Sequence, residues 1–340
     1  MRFDITALWY QPKLHWLLFL LLPVSWIFNA VICLRRFLYR KKIFTTYAAP
    51  IPIIIVGNIA VGGTGKTPFV ISLVKMLQDL GYCPGVVSRG FGEKKLFLPH
   101  IVTAEDTPKQ VGDEAMLILK HTQCPIVVGI NKVAAVKKIL QTHCDIIICD
   151  DGLQHYRLER DIEIAMVDAA RQFGNGKLLP AGPLRESISR LKTVDFIIET
   201  GKEFILQPEA FISVMHPNTK IVCNQFRHKT IHAVAGIGNP ERFFTVLQSA
   251  GFTIIPHRFP DHYHYSKQDL DFDDNLPIVM TEKDAVKCIP FADPRFWFLG
   301  TTANIHPDLK QNILLKITNL KGCSHEKFSE VATADISSIN

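Results

Sequence analysis

The sequence predicts an α/β protein with a doubly wound, mostly parallel sheet, a second, smaller α/β domain and an N-terminal membrane helix. Short apolar runs alternate with stretches of ten or more residues that carry apolar side chains at helical spacing. The same alternation returns in a shorter form after residue 228, and an uninterrupted apolar run lies near the N-terminus. At 340 residues the chain is long enough for two domains of ordinary size.

The apolar run covers residues 14–34, "LHWLLFLLLPVSWIFNAVICL", and contains no acidic or permanently charged side chain. Roughly 20 apolar residues are enough to cross a bilayer as a helix, and Pro23 would bend this one near its middle. A signal peptide is disfavoured because no small-x-small site follows. A helix lying in the membrane interface stays open as an alternative. A basic cluster follows the run and predicts that the rest of the chain is cytoplasmic: Arg35, Arg36, Arg40, Lys41 and Lys42.

The remainder divides into two α/β segments and a tail. In the first, 44–228, runs such as "IPIIIVGNIA" and "CDIIICDDG" are typical of strands buried on both faces of a parallel sheet. The second, 229–322, repeats the strand–turn–helix pattern in "TIHAVAGIGNPERFFTVLQSAG". The polar residues 323–340 form the predicted tail.

Composition narrows the functional classes only mildly. The formal net charge of +6 favours anionic partners without choosing among them. The eight cysteines include no C-x-x-C pair, so we expect reduced thiols rather than a disulfide framework or a zinc site.

The stretch "IIIVGNIAVGGTGKTPFV", residues 53–70, indicates a nucleotide site. It matches the phosphate-binding loop G-x-x-x-x-G-K-[ST], except that Ala60 replaces the first glycine. In such a loop Lys66 reaches the β- and γ-phosphates and the Thr67 hydroxyl binds Mg²⁺. A plain glycine-rich turn is the alternative, but the strand–loop–helix context favours a P-loop NTPase-like fold. The predicted phosphate-binding residues are Gly62, Gly63, Thr64, Gly65, Lys66 and Thr67.

Acidic residues close a second buried strand, as a P-loop protein requires for its magnesium ion. Asp150 and Asp151 end "CDIIICDD", and Gln154 and His155 follow as candidate lining residues. Two adjacent carboxylates repel each other unless a cation lies nearby. The N-K-x-D and D-x-x-G patterns of GTP-binding proteins are both missing, so the sequence favours ATP with Mg²⁺.

Eight sequence blocks occur in this order: "GNIAVGGTGKTP", "SRGFG", "VGDEAML", "DDGLQH", "LPAGPLRES", "AGIGNPERFF", "FPDHYHY" and "MTEKDAVK". Together they resemble the tetraacyldisaccharide 4′-kinase family. The resemblance implies transfer of the γ-phosphate of ATP to the 4′-hydroxyl of an acylated glucosamine disaccharide 1-phosphate in lipid A biosynthesis. It also implies the cytoplasmic face of the inner membrane, contact with its lipids, no nucleic acid and, we expect, a monomer.

The resemblance implies that Asp113 and His262 are catalytic residues, in addition to Lys66. Asp113 in "VGDE" is similar to the family's catalytic aspartate, which can take the proton of the acceptor hydroxyl. From the residues alone, Asp113 could equally be an acid in a helix's first turn. His262 resembles the histidine that pairs with this aspartate. A metal site formed with Asp261 and His264 is a poorer interpretation, because the ligand set is weak.

Basic residues are expected along the path of the phosphorylated lipid. Arg185 and Arg89 match family positions that we expect to contact substrate. Lys132 stands where the family more often has arginine, and lysine lacks the bidentate fork. We predict substrate roles for these three and for Gln154 and His155.

The sequence disfavours two other functions. A membrane-tethered ATPase switch is disfavoured, because Val61 replaces the signature lysine of that class. An inactive, degenerate P-loop protein is disfavoured because Lys66, Thr67, Asp113 and Asp150 are all present.

Overall fold

The structure, a computed structural model, describes residues 8–11, 15–90, 92, 98–226 and 229–320. The predicted tail at 323–340, the start of the predicted membrane helix at Leu14 and the end of the first segment at His228 lie outside the described residues.

Thirteen strands in the described residues form one sheet. The strands are β1 Ile53–Gly57, β2 Pro84–Ser88, β3 His100–Ile101, β4 Ile126–Val128, β5 Ile146–Asp150, β6 Ile162–Asp168, β7 Phe196–Thr200, β8 Phe204–Ser213, β9 Lys220–Val222, β10 Thr230–Ala235, β11 Thr253–Arg258, β12 Ile278–Met280 and β13 Phe296–Ile305. The spatial order is β11-β10-β12-β13-β8-β7-β6-β1-β5-β2-β4-β3, with β9 paired to β8.

In the described residues, α-helices lie between five of the twelve successive pairs of strands. The α-helices are α1 Trp16–Phe19, α2 Leu22–Arg40, α3 Lys66–Asp79, α4 Pro108–Val111, α5 Asp113–Thr122, α6 Lys132–Ile139, α7 Pro240–Ser249, α8 Glu282–Cys288 and α9 Pro307–Thr318. All pairings are parallel except those of β3 with β4, β8 with β9 and β8 with β13. The predicted doubly wound, mostly parallel sheet is confirmed.

Helices cover both faces of the β1 region, which explains its uniformly apolar strands. Ile54 packs in one core with Phe69 of α3, while Ile55 packs in another with Val136 of α6. Because successive side chains point to opposite faces, a strand covered on both faces must be apolar throughout. The carboxyl ends of β1 and β5, paired in parallel, therefore lie side by side at one edge.

A long antiparallel pair, β8 with β13, joins two sets of parallel strands. The first set contains β1, and the second contains β10. Phe204 at the start of β8 and Ile313 of α9 both pack in the core that contains Ile54. The last helix thus packs against the first set of strands. The division into domains at 44–228 and 229–322 stays a prediction.

The N-terminal helix differs from its predicted bounds of 14–34. Helix α2 begins at Leu22 and runs to Arg40, after the separate short helix α1. The sequence predicts that Pro23 bends the helix near its middle, but in the structure Pro23 lies in the first turn of α2. Its missing N–H costs no hydrogen bond there. The basic residues Arg35 and Arg36 lie within α2 rather than after it. By length and composition α2 could cross a membrane.

Candidate active site

The turn between β1 and α3 has the backbone shape of a phosphate-binding loop. Gly62 and Gly65 have φ angles of +114° and +79°, a region that side chains other than glycine rarely adopt. Gly65 caps α3, and Lys66 and Thr67 open that helix. The free N–H groups of a helix N-terminus and its partial positive charge suit an anion.

Residues from both sets of strands hold this loop in place. Thr200, which ends β7, donates a hydrogen bond of 2.6 Å from Oγ1 to the Thr64 carbonyl. Gly238, in the turn before α7, packs so closely that a Cβ there would lie 2.4 Å from the Gly63 nitrogen. A side chain at position 238 would therefore displace the loop. Nothing in the sequence pattern predicts this contact.

Two cations hold the carboxylate of Asp151, which follows β5. Lys66 Nζ lies 3.4 Å from Oδ1, and Arg185 Nη1 lies 2.9 and 3.1 Å from the two oxygens. Burial alone would raise the pKa of Asp151, but the charges of Lys66 and Arg185 outweigh it and lower the pKa. The structure thus brings together three residues that the sequence analysis placed in one site.

Asp150, the last residue of β5, is buried with one oxygen available to a ligand. Ser88 Oγ donates to Oδ2 at 3.4 Å, and among the described residues no donor contacts Oδ1. Burial and the negative charge of Glu114 raise the pKa of Asp150 to about 7. A buried carboxylate oxygen at the end of β5 and the Thr67 hydroxyl at the start of α3 are donors of the kind that Mg²⁺ takes, since it binds few protein ligands and keeps several waters.

A second constellation pairs Asp113, the first residue of α5, with His262 from the loop after β11. His262 Nδ1 donates to Asp113 Oδ1 at 3.1 Å, and Asp113 is 4% exposed. Burial opposes ionisation of both, yet this hydrogen bond prevails and raises the pKa of His262. For Asp113, the same hydrogen bond and the charges of Lys283 and Lys287 lower the pKa to about 2.

Two lysines of α8 complete this constellation, and sequence reasoning missed both. Lys287 Nζ lies 3.5 Å from Asp113 Oδ2 and 2.8 Å from the buried Asp284 carboxylate. Lys283 Nζ bridges Glu114 at 3.1 Å and Asp261 at 3.4 Å. The signal was the block "MTEKDAVK", in which a four-residue spacing puts the two lysines on one helical face.

The two constellations are neighbours. Glu114 follows Asp113 on α5, and its charge acts on the pKa of Asp150 at the end of β5. Among the described residues no three His, Cys, Asp or Glu side chains cluster as metal ligands, so Asp261, His262 and His264 do not form such a site.

Two of the other predicted substrate residues donate hydrogen bonds to groups of the protein itself. Lys132 is buried and donates to the backbone carbonyls of Val87 at 3.3 Å and Asp150 at 2.7 Å. Gln154 donates to the Asn58 carbonyl and, at 3.0 Å, to the Glu186 carboxylate.

Two further predicted residues lie nearer solvent. His155 is half-buried, and burial together with the charge of Lys132 lowers its pKa to about 4, so it is neutral at pH 7. Arg89 is exposed just after β2. Neither residue contacts Asp113 or Lys66 through a hydrogen bond that the structure records.

Comparison with known proteins gives consistent matches over most of the chain. A family model described as tetraacyldisaccharide-1-P 4′-kinase matches residues 17–318. A relative named tetraacyldisaccharide 4′-kinase, from Methylobacillus flagellatus, is 46% identical over 310 residues, covering 88% of this chain and 92% of its own. The relative of that name from Coxiella burnetii strain RSA 331 is 47% identical and covers 91% and 93%.

A solved structure resembles this one along nearly its whole length. It is LpxK from Aquifex aeolicus, described as an "apo" form in complex with ATP. The TM-score is 0.75 at 26% identity, with 88% of this chain and 99% of that chain covered.

Proposed function

The chain belongs to the tetraacyldisaccharide-1-P 4′-kinase family, and on this premise we propose how its residues divide the work of phosphoryl transfer. The reaction is phosphorylation of the lipid A precursor at its 4′ position, with ATP as donor. The observation that carries the assignment is the hydrogen bond between buried Asp113 and half-buried His262, together with the P-loop centre of Lys66, Asp150 and Asp151.

The loop from Gly62 to Thr67 binds the phosphates of ATP. Its backbone N–H groups and the Lys66 ammonium would contact the phosphate oxygens. Thr67 and Asp150 would hold Mg²⁺, which neutralises charge on the phosphates. Asp150 is the better inner ligand because Asp151 is already paired with Lys66 and Arg185, at 3.4 and 2.9 Å. Once the nucleotide is bound, those two cations are positioned to share its negative charge.

Asp113 accepts the proton of the acceptor hydroxyl as its oxygen attacks the γ-phosphorus and ADP leaves. Its lowered pKa, about 2, keeps it ionised at physiological pH but makes it a weak base. A weak base suffices because phosphoryl transfer has a loose transition state, in which the hydroxyl keeps its proton until late. His262 orients the carboxylate.

The membrane role belongs to α2, whose outer face exposes large apolar side chains. Ser25 near its start contacts the Leu178 carbonyl at 2.8 Å, and Arg36 near its end lies 4.0 Å from Glu186. A helix attached to the protein at both points is arranged to lie in one leaflet rather than to cross the bilayer. The exposed residues are Val24, Trp26, Ile27, Val31, Leu34 and Phe37. We infer the cytoplasmic face of the inner membrane, where anionic lipids attract the basic cluster.

Two variants separate nucleotide binding from transfer. Lys66→Ala should weaken ATP binding and turnover together, because it removes a phosphate contact. Asp113→Ala should bind ATP as the unaltered protein does, yet lose most transfer to tetraacyldisaccharide 1-phosphate in detergent micelles. Fluorescent-nucleotide titration and labelled-phosphate transfer measure the two quantities. Near-normal transfer by Asp113→Ala would remove it from the base role.

The membrane proposal has its own test. Trp26→Ser with Ile27→Ser should reduce flotation of the protein with vesicles that contain anionic lipid. Arg242→Ser on α7 is the control for replacing a side chain with serine away from α2. Unchanged flotation of the double variant would remove the outer face of α2 from membrane binding.

A further inference from the structure

We propose that the N-terminal segment, meaning Trp9 and helix α2, braces the nucleotide site by holding the phosphate-binding loop in position. Trp9 and Ser25 are its positioning residues. The brace acts through residues 177–185, here called the brace hairpin, which link α2 to the phosphate-binding loop. This inference rests on the proposed role of that loop in binding ATP. It gives the membrane helix a second role besides attachment.

The brace hairpin is a folded unit held by its own backbone. The Leu179 nitrogen donates to the Leu184 carbonyl at 2.8 Å, and the Leu184 nitrogen donates to the Lys177 carbonyl at 3.1 Å. The Gly182 nitrogen adds a bond of 3.0 Å to the Leu178 carbonyl. A displacement of one end of the hairpin is therefore transmitted to the other.

One end of the brace hairpin pairs with the chain that leads into the phosphate-binding loop. The Val61 nitrogen donates to the Pro183 carbonyl at 2.8 Å, and the Arg185 nitrogen donates to the Ile59 carbonyl at 2.7 Å. Arg185 then extends its guanidinium to Asp151 at 2.9 Å. The hairpin thus positions the entry to Gly62 and the cation that shares Asp151 with Lys66.

The N-terminal segment holds the opposite end of the brace hairpin. Ser25 Oγ donates to the Leu178 carbonyl at 2.8 Å and accepts from the Ala181 nitrogen at 3.1 Å. Trp9 Nε1 donates to the Pro180 carbonyl at 3.2 Å. Both side chains are buried, with 4% and 7% of their surfaces exposed.

These contacts exceed what a tether requires. A tether needs an apolar outer face, which α2 has, and a covalent link to the rest of the chain. Ser25 instead satisfies two backbone groups of the hairpin at a point where α2 is otherwise largely exposed. Buried backbone groups left without partners would cost the hairpin its fixed conformation.

The test compares Ser25→Ala with Ser25→Thr, which keeps the hydroxyl, and with Ser249→Ala, an exposed serine at the end of α7. Transfer from ATP is measured in detergent micelles, so that membrane attachment does not limit turnover. For Ser25→Ala we expect kcat/KM for ATP to fall about fivefold to tenfold, since a buried hydroxyl with two partners is lost. Ser25→Thr and Ser249→Ala should stay within about twofold of the unaltered protein.

Trp9→Phe provides a second variant, because it removes the Nε1 donor and keeps an aromatic ring. It should lower kcat/KM for ATP in the same direction as Ser25→Ala, while flotation with vesicles stays unchanged in both. In an Arg185→Ala background, Ser25→Ala should cost less than it does alone, because part of its effect passes through Arg185. A merely structural loss would be additive in the two backgrounds.

The outcomes distinguish the brace from the function on which it rests. If the unaltered protein transfers phosphate and Ser25→Ala matches it, the brace is wrong and the kinase assignment stands. A loss that appears only with vesicles would also overturn the brace, since it would reduce Ser25 to membrane attachment. If the unaltered protein itself transfers no phosphate, the proposed function fails first.

Discussion

The pairing of Asp113 with cations predicts a pH-dependent stability that one substitution should remove. Asp113→Asn keeps the size of the side chain but not its charge. In the folded protein the carboxylate is 4% exposed, 3.1 Å from His262 Nδ1 and 3.5 Å from Lys287 Nζ. Its charge therefore stabilises the folded state only where it is ionised.

The magnitude follows from the pKa. Folding lowers the pKa of Asp113 from 3.8 to about 2. At 1.36 kcal/mol per unit this contributes about 2.5 kcal/mol to the free energy of unfolding at pH 7. A depressed folded-state pKa gives stability that is present above the unfolded pKa and is lost as the pH falls through the folded one. Near pH 3 about half of the contribution should remain.

Urea unfolding of the unaltered protein and Asp113→Asn at pH 7 and pH 3 measures this difference. The two free energies of unfolding should differ by about 2.5 kcal/mol at pH 7 and by about half of that at pH 3. Asp308→Asn is the control, because Asp308 also lies in a helix's first turn but is exposed. A difference that is the same at both pH values would refute the ionic account of this pair.

Substitutions at three further positions follow from the same geometry. Lys287→Met should lower kcat about tenfold and leave ATP affinity unchanged, because it removes the ammonium group that helps to hold the Asp113 carboxylate in place. Lys287→Arg keeps a positive charge and should retain more activity in steady-state assays. Arg185→Ala should lower transfer more than Arg185→Lys, measured as kcat/KM for ATP, since lysine keeps the charge but not the planar fork; equal losses would argue against a charge role. His262→Gln should lower kcat less than Asp113→Ala does, because glutamine still donates a hydrogen bond to the carboxylate; a loss as large as that of Asp113→Ala would give His262 more than an orienting role.

The phosphate-binding loop could be predicted because its parts are consecutive in sequence. A strand, three glycines and Lys66–Thr67 specify the turn locally, and the missing glycine at Ala60 left the loop intact. Asp150 and Asp151 were predictable for a related reason: parallel strands that end together bring their following residues to one edge. The raised pKa of Asp150 was not predictable, because it depends on burial and on Glu114 from another helix.

The Asp113–His262 pair could not be read from spacing, since 149 residues separate the two. Only the family resemblance suggested it, and nothing in the pattern indicated that Lys283 and Lys287 would accompany it. For Lys132 the structure shows contacts that the sequence did not indicate. A lysine in a basic, loop-adjacent position was predicted to meet substrate, but its ammonium is buried against two backbone carbonyls.

The N-terminal helix was detected by its apolar composition but misplaced by it. Hydropathy ends the run at Leu34, before the arginines, whereas the helix continues to Arg40. Tyr39 and Arg35 lie against Tyr156, and Arg36 approaches Glu186, so contacts with the protein extend the helix. Such contacts depend on the folded protein and leave no trace in a hydropathy profile.

The most direct test of the central claim is phosphate transfer itself. Purified protein is incubated in detergent micelles with γ-labelled ATP, Mg²⁺ and tetraacyldisaccharide 1-phosphate, with Lys66→Ala as control. The account predicts label on the lipid with the unaltered protein and none with Lys66→Ala. Hydrolysis of ATP that leaves the lipid unlabelled would contradict it and would favour a membrane-tethered ATPase instead.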